Sequence, residues 1–161
     1  RMGYEHPETV ASGLVKIAVG ATLFHFGILT STMHNAWVRS VCGRLKSDYR
    51  YSASIVYNNF PWPEPTDKQR ATIEAAAQAV LDARAAHPSA TLADLYDPLT
   101  MPPDLLRAHQ TLDRAVDAAY AYKDAPTDAV RVAFLFARYQ ALTSLLPAQA
   151  TKPRRGGKAK T

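Results

Sequence analysis

Asn58-Asn59-Phe60-Pro61-Trp62-Pro63-Glu64-Pro65 interrupts every regular pattern around it. Three prolines within five residues fix φ and remove backbone donors, so neither a helix nor a strand continues through the stretch. Phe60 and Trp62 give it apolar surface, and Trp62 is expected to anchor this crossing to the helices that follow. The chain is thereby divided into a mixed segment before the prolines and a helical one after them.

Downstream, Thr66 and Gln69 have the spacing of a capping box and lead into Ile73, Ala77, Val80 and Leu81 on one helix face. Pro88 sets the latest end of that helix. Thr91 to Tyr96 reads as one short helical turn, and Pro98, Pro102 and Pro103 punctuate the way to a third element with Leu105, His109, Leu112, Val116 and Tyr120 at helical spacing. Thr127 caps a last helix carrying Val130, Phe134, Leu135, Leu142 and Leu145. Each is amphipathic, and such helices hold by packing their apolar faces together, so a small bundle is predicted.

Upstream, the β-branched run Leu14 to Val19, bounded by Gly13 and Gly20, is predicted as a strand. Thr22 to Leu29 fits a short helix. Thr30 or Ser31 caps a second one, with Met33, Trp37, Val38 and Val41 as its buried stripe and Gly43 as its end. Arg50 to Tyr57 has strand-like composition. The predicted class is therefore mainly α with a small β portion, an α+β chain. Residues 1–63 form a part with strands and helix, 64–146 a helical bundle, and 147–161 a basic tail with nothing to bury, expected to be disordered.

The 161 residues suffice for one sizeable core, or for a partial domain joined to a small complete one. The net charge of +5 points weakly to a polyanionic partner. The excess sits in the tail and in Arg39, Arg44, Lys46 and Arg50, offset nearby only by Asp48. Cys42, the single cysteine, excludes an internal disulfide or a cysteine-rich zinc site and fits a small buried residue in a protein of a reducing cytoplasm. The apolar run from Ile17 to Leu29 is interrupted by His25 and far short of the roughly 20 residues of a membrane span, so no membrane partner is expected. The start at Arg1 lacks the regions of a signal peptide and reads as a truncated chain. The five histidines lack metal-ligand spacing and are expected to be partly buried or surface imidazoles, and no hydrolase elbow or paired carboxylates appear. No catalytic, cofactor or metal residue is assigned.

Between Arg39 and Phe60 the chain gathers cations, one acid, tyrosines and asparagines. Arg and Lys neutralise phosphates or donate to guanine, Asn pairs with adenine, and Asp accepts from the cytosine amine. A surface hairpin with solvated charges and packed tyrosines has the same composition. Composition alone also leaves open a stand-alone helical adaptor that binds protein, or a small basic nucleic-acid-binding protein.

Long ordered runs narrow the choice. Phe26-Gly27-Ile28-Leu29-Thr30-Ser31, His34-Asn35-Ala36-Trp37-Val38-Arg39, Gly43-Arg44-Leu45-Lys46-Ser47-Asp48-Tyr49-Arg50-Tyr51-Ser52 and Ile55-Val56-Tyr57-Asn58-Asn59-Phe60-Pro61-Trp62-Pro63 resemble the end of the target-recognition domain of MmeI-like restriction-modification enzymes. Leu92-Ala93-Asp94-Leu95-Tyr96-Asp97 and Leu99-Thr100-Met101-Pro102-Pro103 resemble that family's C-terminal helical domain. The resemblance covers roughly Ala21 to Tyr120.

It implies a parent polypeptide with an endonuclease domain, a helical connector and an adenine methyltransferase domain using S-adenosylmethionine, with Mg2+ if the parent cleaves DNA. Double-stranded DNA and the upstream methyltransferase domain are the implied partners. The catalytic motifs of such a methyltransferase, a glycine-rich cofactor turn and an Asn/Asp-Pro-Pro-aromatic segment, are missing here, since Asn58-Asn59-Phe60-Pro61 lacks the Pro-Pro pair. The resemblance further implies that Lys46 and Asp48 read one base pair, Lys46 donating to guanine O6 or N7 and Asp48 accepting from N4 of the paired cytosine. Two positions apart on an extended segment, they would share a face. A mutual surface salt bridge is the other reading of the pair. Arg39, Arg44 and Arg50 suit phosphate contacts, with Tyr49, Tyr51, Asn58 and Asn59 at or near the backbone.

Overall fold

The structure, a computed structural model, describes residues 2–4, 8, 15–45 and 48–144. Lys46 and the basic tail from residue 147 lie outside the described residues. In chain order the elements are α1 (Leu23–Thr30), α2 (Thr32–Val41), β1 (Gly43–Leu45), β2 (Asp48–Arg50), a π-helical turn (Ala53–Tyr57), α3 (Asp67–Ala85), α4 (Leu92–Leu95), α5 (Pro103–Ala119) and α6 (Asp128–Thr143). The expected class holds: helices dominate, beside one two-stranded antiparallel sheet.

Local chemistry sets most boundaries. Ser31 ends α1 and caps α2, its hydroxyl oxygen accepting from the His34 backbone N–H. The Thr66–Gln69 box opens α3, Thr91 with Asp94 opens α4, and Thr127 accepts from Val130 N at the start of α6. Pro103 supplies the first residue of α5, where its missing N–H costs nothing. The end of α5 is a Schellman turn: Tyr122 N donates to Asp117 O at 2.9 Å and Ala121 N to Ala118 O at 3.1 Å, with Ala121 taking the left-handed φ of 52° usually left to glycine.

The core is continuous across the proline crossing. Phe24 and Ile28 of α1, Met33 and Trp37 of α2, Ile73, Ala77 and Val80 of α3, Leu105, Leu112 and Val116 of α5 and Leu135 of α6 belong to one buried cluster with Val56 and Phe60. Gly27 lets α1 approach α3, since a Cβ there would meet Ile73 Cγ2 at 2.8 Å. The Tyr120 hydroxyl donates to Pro61 O at 3.1 Å, and Trp62 meets the rings of His25, Tyr57 and Phe60, so the crossing is bonded and packed against the helices. Arg131 lies buried on α6, its guanidinium forked onto the Asp117 carboxylate of α5 and 4.8 Å above the Tyr122 ring.

Four local expectations fail. Residues 15–20, part of the predicted strand at Leu14 to Val19, form no strand and end in a turn at Gly20; nothing described pairs with them. Extended structure after Asp48 ends at Arg50, and Ala53–Tyr57 coils as a π turn because Trp37 Nε1 donates to Val56 O at 3.0 Å, drawing that carbonyl toward α2. Helix α2 stops at Cys42, and Gly43 begins β1, where its exposed backbone pairs with Arg50. Leu142 is 62% exposed: α6 packs on α2 through Phe136 and Tyr139, which meet the Trp37 ring, and its last residues, 141–143, are exposed.

Candidate nucleic-acid interface

Helix α2, the hairpin and the π turn together present the cationic segment. Pairing Gly43 with Arg50, Arg44 with Tyr49 and Leu45 with Asp48 makes a short antiparallel ladder joined through residues 46–47. Side chains alternate across it, so Asp48 and Arg50 share one face while Arg44 and Tyr49 share the other. Arg44 covers the Tyr49 ring at 4.4 Å and donates to its hydroxyl at 2.9 Å, which holds the guanidinium extended along the hairpin. Asp48, Tyr49 and Arg50 are all exposed. A ladder this short is marginal alone, and its two flanks are fastened to the core.

One fastening runs through Tyr51, whose hydroxyl donates to His34 Nε2 at 3.2 Å. On its other side His34 Nδ1–H donates to Leu29 O at 3.0 Å, which fixes the neutral tautomer. Burial holds the His34 imidazole down to about 4, the Leu29 carbonyl opposing only in part, and burial pushes the Tyr51 phenol up to about 12. His34 is thus fully buried, where a partly buried or surface ring was expected. The second fastening is Trp37 to Val56. Asn59 completes the turn, its amide donating to Ser54 O at 2.9 Å and Ile55 O at 3.1 Å.

Of the predicted contact residues, the hairpin brings Arg44, Asp48, Tyr49 and Arg50 together on exposed backbone. Asn58 is exposed beyond the π turn. Tyr51 and Asn59 have their polar atoms turned to structural bonds. Arg39, near the end of α2, reaches Asp128 at 2.7 Å, both side chains about half exposed. Asp128 went unnoticed in the sequence, although an acid in the first turn of a capped helix is favoured by the helix dipole. The ladder's described strands end at Leu45 and resume at Asp48, and Lys46, the other member of the expected base-reading pair, lies outside the described residues.

Burial raises the Cys42 thiol, against a smaller opposing pull from Arg44. No group of three His, Cys, Asp or Glu among the described residues can hold a metal ion. No described helix is long and apolar enough to cross a membrane. A depression of about 370 Å3 between α2 and α5 has His34, Asn35 and Asp113 on its walls, together with Tyr96, whose hydroxyl lies 2.6 Å from His109 Nε2.

Comparison with known proteins decides what this exposed hairpin belongs to. Residues 1–64 match the MmeI target recognition domain and residues 65–147 match the MmeI C-terminal domain. The chain belongs to the MmeI family. It is 43% identical over 142 residues to DNA methyltransferase A of Bacillus subtilis (strain 168), covering 88% of this chain and 16% of that protein. It is also similar to the solved structure of the type IIL restriction-modification enzyme MmeI in complex with DNA, with 57% identity and a TM-score of 0.76 over 78% of this chain and 17% of the other. The chain therefore spans about one sixth of the length of these relatives. Its hairpin lies wholly within the part that matches the target recognition domain.

Proposed function

We propose that this chain is the DNA-reading and scaffold segment of a site-specific adenine methyltransferase of a restriction-modification system. Lys46 and Asp48 read one G·C pair in a fixed orientation: the ammonium donates to guanine O6 or N7, and the carboxylate accepts from cytosine N4. Arg44 and Arg50 contact phosphates on either side, and Arg39 does so from the end of α2. The observation that carries the reading is the exposure of Asp48 on a two-stranded ladder inside the stretch matched to a target recognition domain.

Chemistry belongs to the rest of the enzyme. S-adenosylmethionine needs a glycine-lined cradle, whereas the described Gly27 is packed against Ile73, Ala77 and Leu112, and Gly3, Gly20 and Gly43 stand apart from one another in open space. These residues do not fit the cofactor, and no step of methyl transfer is assigned to them. The helices behind the hairpin hold it in place relative to the methyltransferase domain, which acts on a flipped adenine.

Binding by the full-length enzyme tests the proposal. Asp48→Ala is expected to cost about 1–3 kcal/mol on the cognate duplex and almost nothing on duplexes altered at one particular base pair. Equal losses on every duplex would contradict base reading.

A further inference from the structure

Val15-Lys16-Ile17-Ala18-Val19 has strand-forming chemistry and no strand partner among the described residues. Val15, Ile17 and Val19 are 53%, 68% and 95% exposed. On extended backbone they alternate onto one face, leaving Lys16 and Ala18 on the other. The five residues make no hydrogen bond to another described residue. Their far end is fixed: Gly20, at φ 70°, turns the chain directly into α1, whose Phe24 and Ile28 sit in the core. The result is an exposed apolar stretch with no partner among the described residues, leading into the first helix of the bundle, a template for strand addition.

We propose that residues 15–19 are a docking surface for an extended segment of the same enzyme's polypeptide outside residues 1–161, which pairs with them as a β-strand. The inference rests on the reading that this chain works within a larger methyltransferase. Its occupant is argued from three observations. The chain spans 16% and 17% of its relatives, so most of such an enzyme lies elsewhere in the polypeptide. A covalently tethered segment competes at high effective concentration against a second copy of the chain. Three aliphatic side chains with one lysine offer DNA neither base-edge recognition nor more than one phosphate contact.

Amide hydrogen exchange in the full-length enzyme and in the 161-residue chain, without DNA and at two protein concentrations, tests this. Amides 15–19 are expected to exchange at least about 100-fold more slowly in the full-length enzyme at both concentrations and to be unprotected in the shorter chain. Ile17→Pro, which removes a ladder donor, is expected to abolish that protection in the full-length enzyme and leave the melting temperature of the shorter chain unchanged. Fast exchange in the wild-type full-length enzyme overturns the proposal. So does protection of the shorter chain that grows with concentration, which assigns the surface to a second copy, or protection that needs added duplex. Protected amides in an enzyme whose target site ignores Asp48 would refute the base-reading role and leave this strand standing.

Discussion

The Tyr51 hydroxyl donates to Nε2 of a fully buried His34, and that bond ties the exit of the exposed hairpin to the centre of the bundle. The neutral imidazole is the form the fold accepts, since both ring nitrogens are used and the Tyr51 phenol stays protonated throughout the acid and neutral range.

Acid should therefore loosen the hairpin's support. The His34 ring sits near 4 in the fold against 6.5 when unfolded, so as pH falls below 6.5 the unfolded chain takes up the proton first. Stability present above pH 6.5 is lost progressively down to about pH 4, by on the order of 3 kcal/mol. Melting temperatures across that window are expected to fall in the wild type and to flatten in His34→Gln. An equal slope in both would remove His34 as the cause.

Gly27→Ala should destabilise the bundle by about 1–3 kcal/mol. The new Cβ meets Ile73 Cγ2 at 2.8 Å, a β-branched methyl that is itself buried, together with Ala77 and Leu112 at 3.3 Å. Denaturant unfolding gives the value directly; a neutral result would mean that α1 and α3 separate easily.

Asp117→Ala should cost about 3–5 kcal/mol, because it strands the buried Arg131 guanidinium without its carboxylate. Asp117→Leu combined with Arg131→Met removes both charges and is expected to cost less than the single change. Chemical denaturation of the three proteins checks the ordering, and a double variant worse than the single would contradict it.

Arg39 and Asp128 make an exposed ion pair, so Asp128→Asn should change stability by no more than about 1 kcal/mol. Its effect should appear in DNA binding. Arg39→Ala is expected to reduce the slope of log affinity against log salt by about 0.9, the signature of one lost phosphate contact, while Asp128→Asn strengthens binding to any sequence. An unaltered slope in Arg39→Ala would leave that guanidinium with its structural pairing alone.

Local signals in the sequence were read correctly where local chemistry decides. Thr66 and Thr127 cap the helices they were expected to cap, Ser31 rather than Thr30 caps α2, and Thr91 opens a short helix within the expected turn from Thr91 to Tyr96. The π turn at Ala53–Tyr57 was hidden because its cause, the Trp37 indole, is 19 residues away in sequence from Val56. Val15 to Val19 has the composition of a strand, but a strand also needs a partner, and a propensity carries no information about one. At the interface, the charges were visible and their commitments were not. Only folding sets Asp128 beside Arg39 and His34 beneath Tyr51, pairings that span 89 and 17 positions.

Lys46→Glu with Asp48→Arg in the full-length enzyme, followed by sequencing of the methylated sites, exchanges donor and acceptor across one base pair. The methylated motif is expected to change from G·C to C·G at that position and nowhere else; an unchanged motif from an active enzyme would contradict the account.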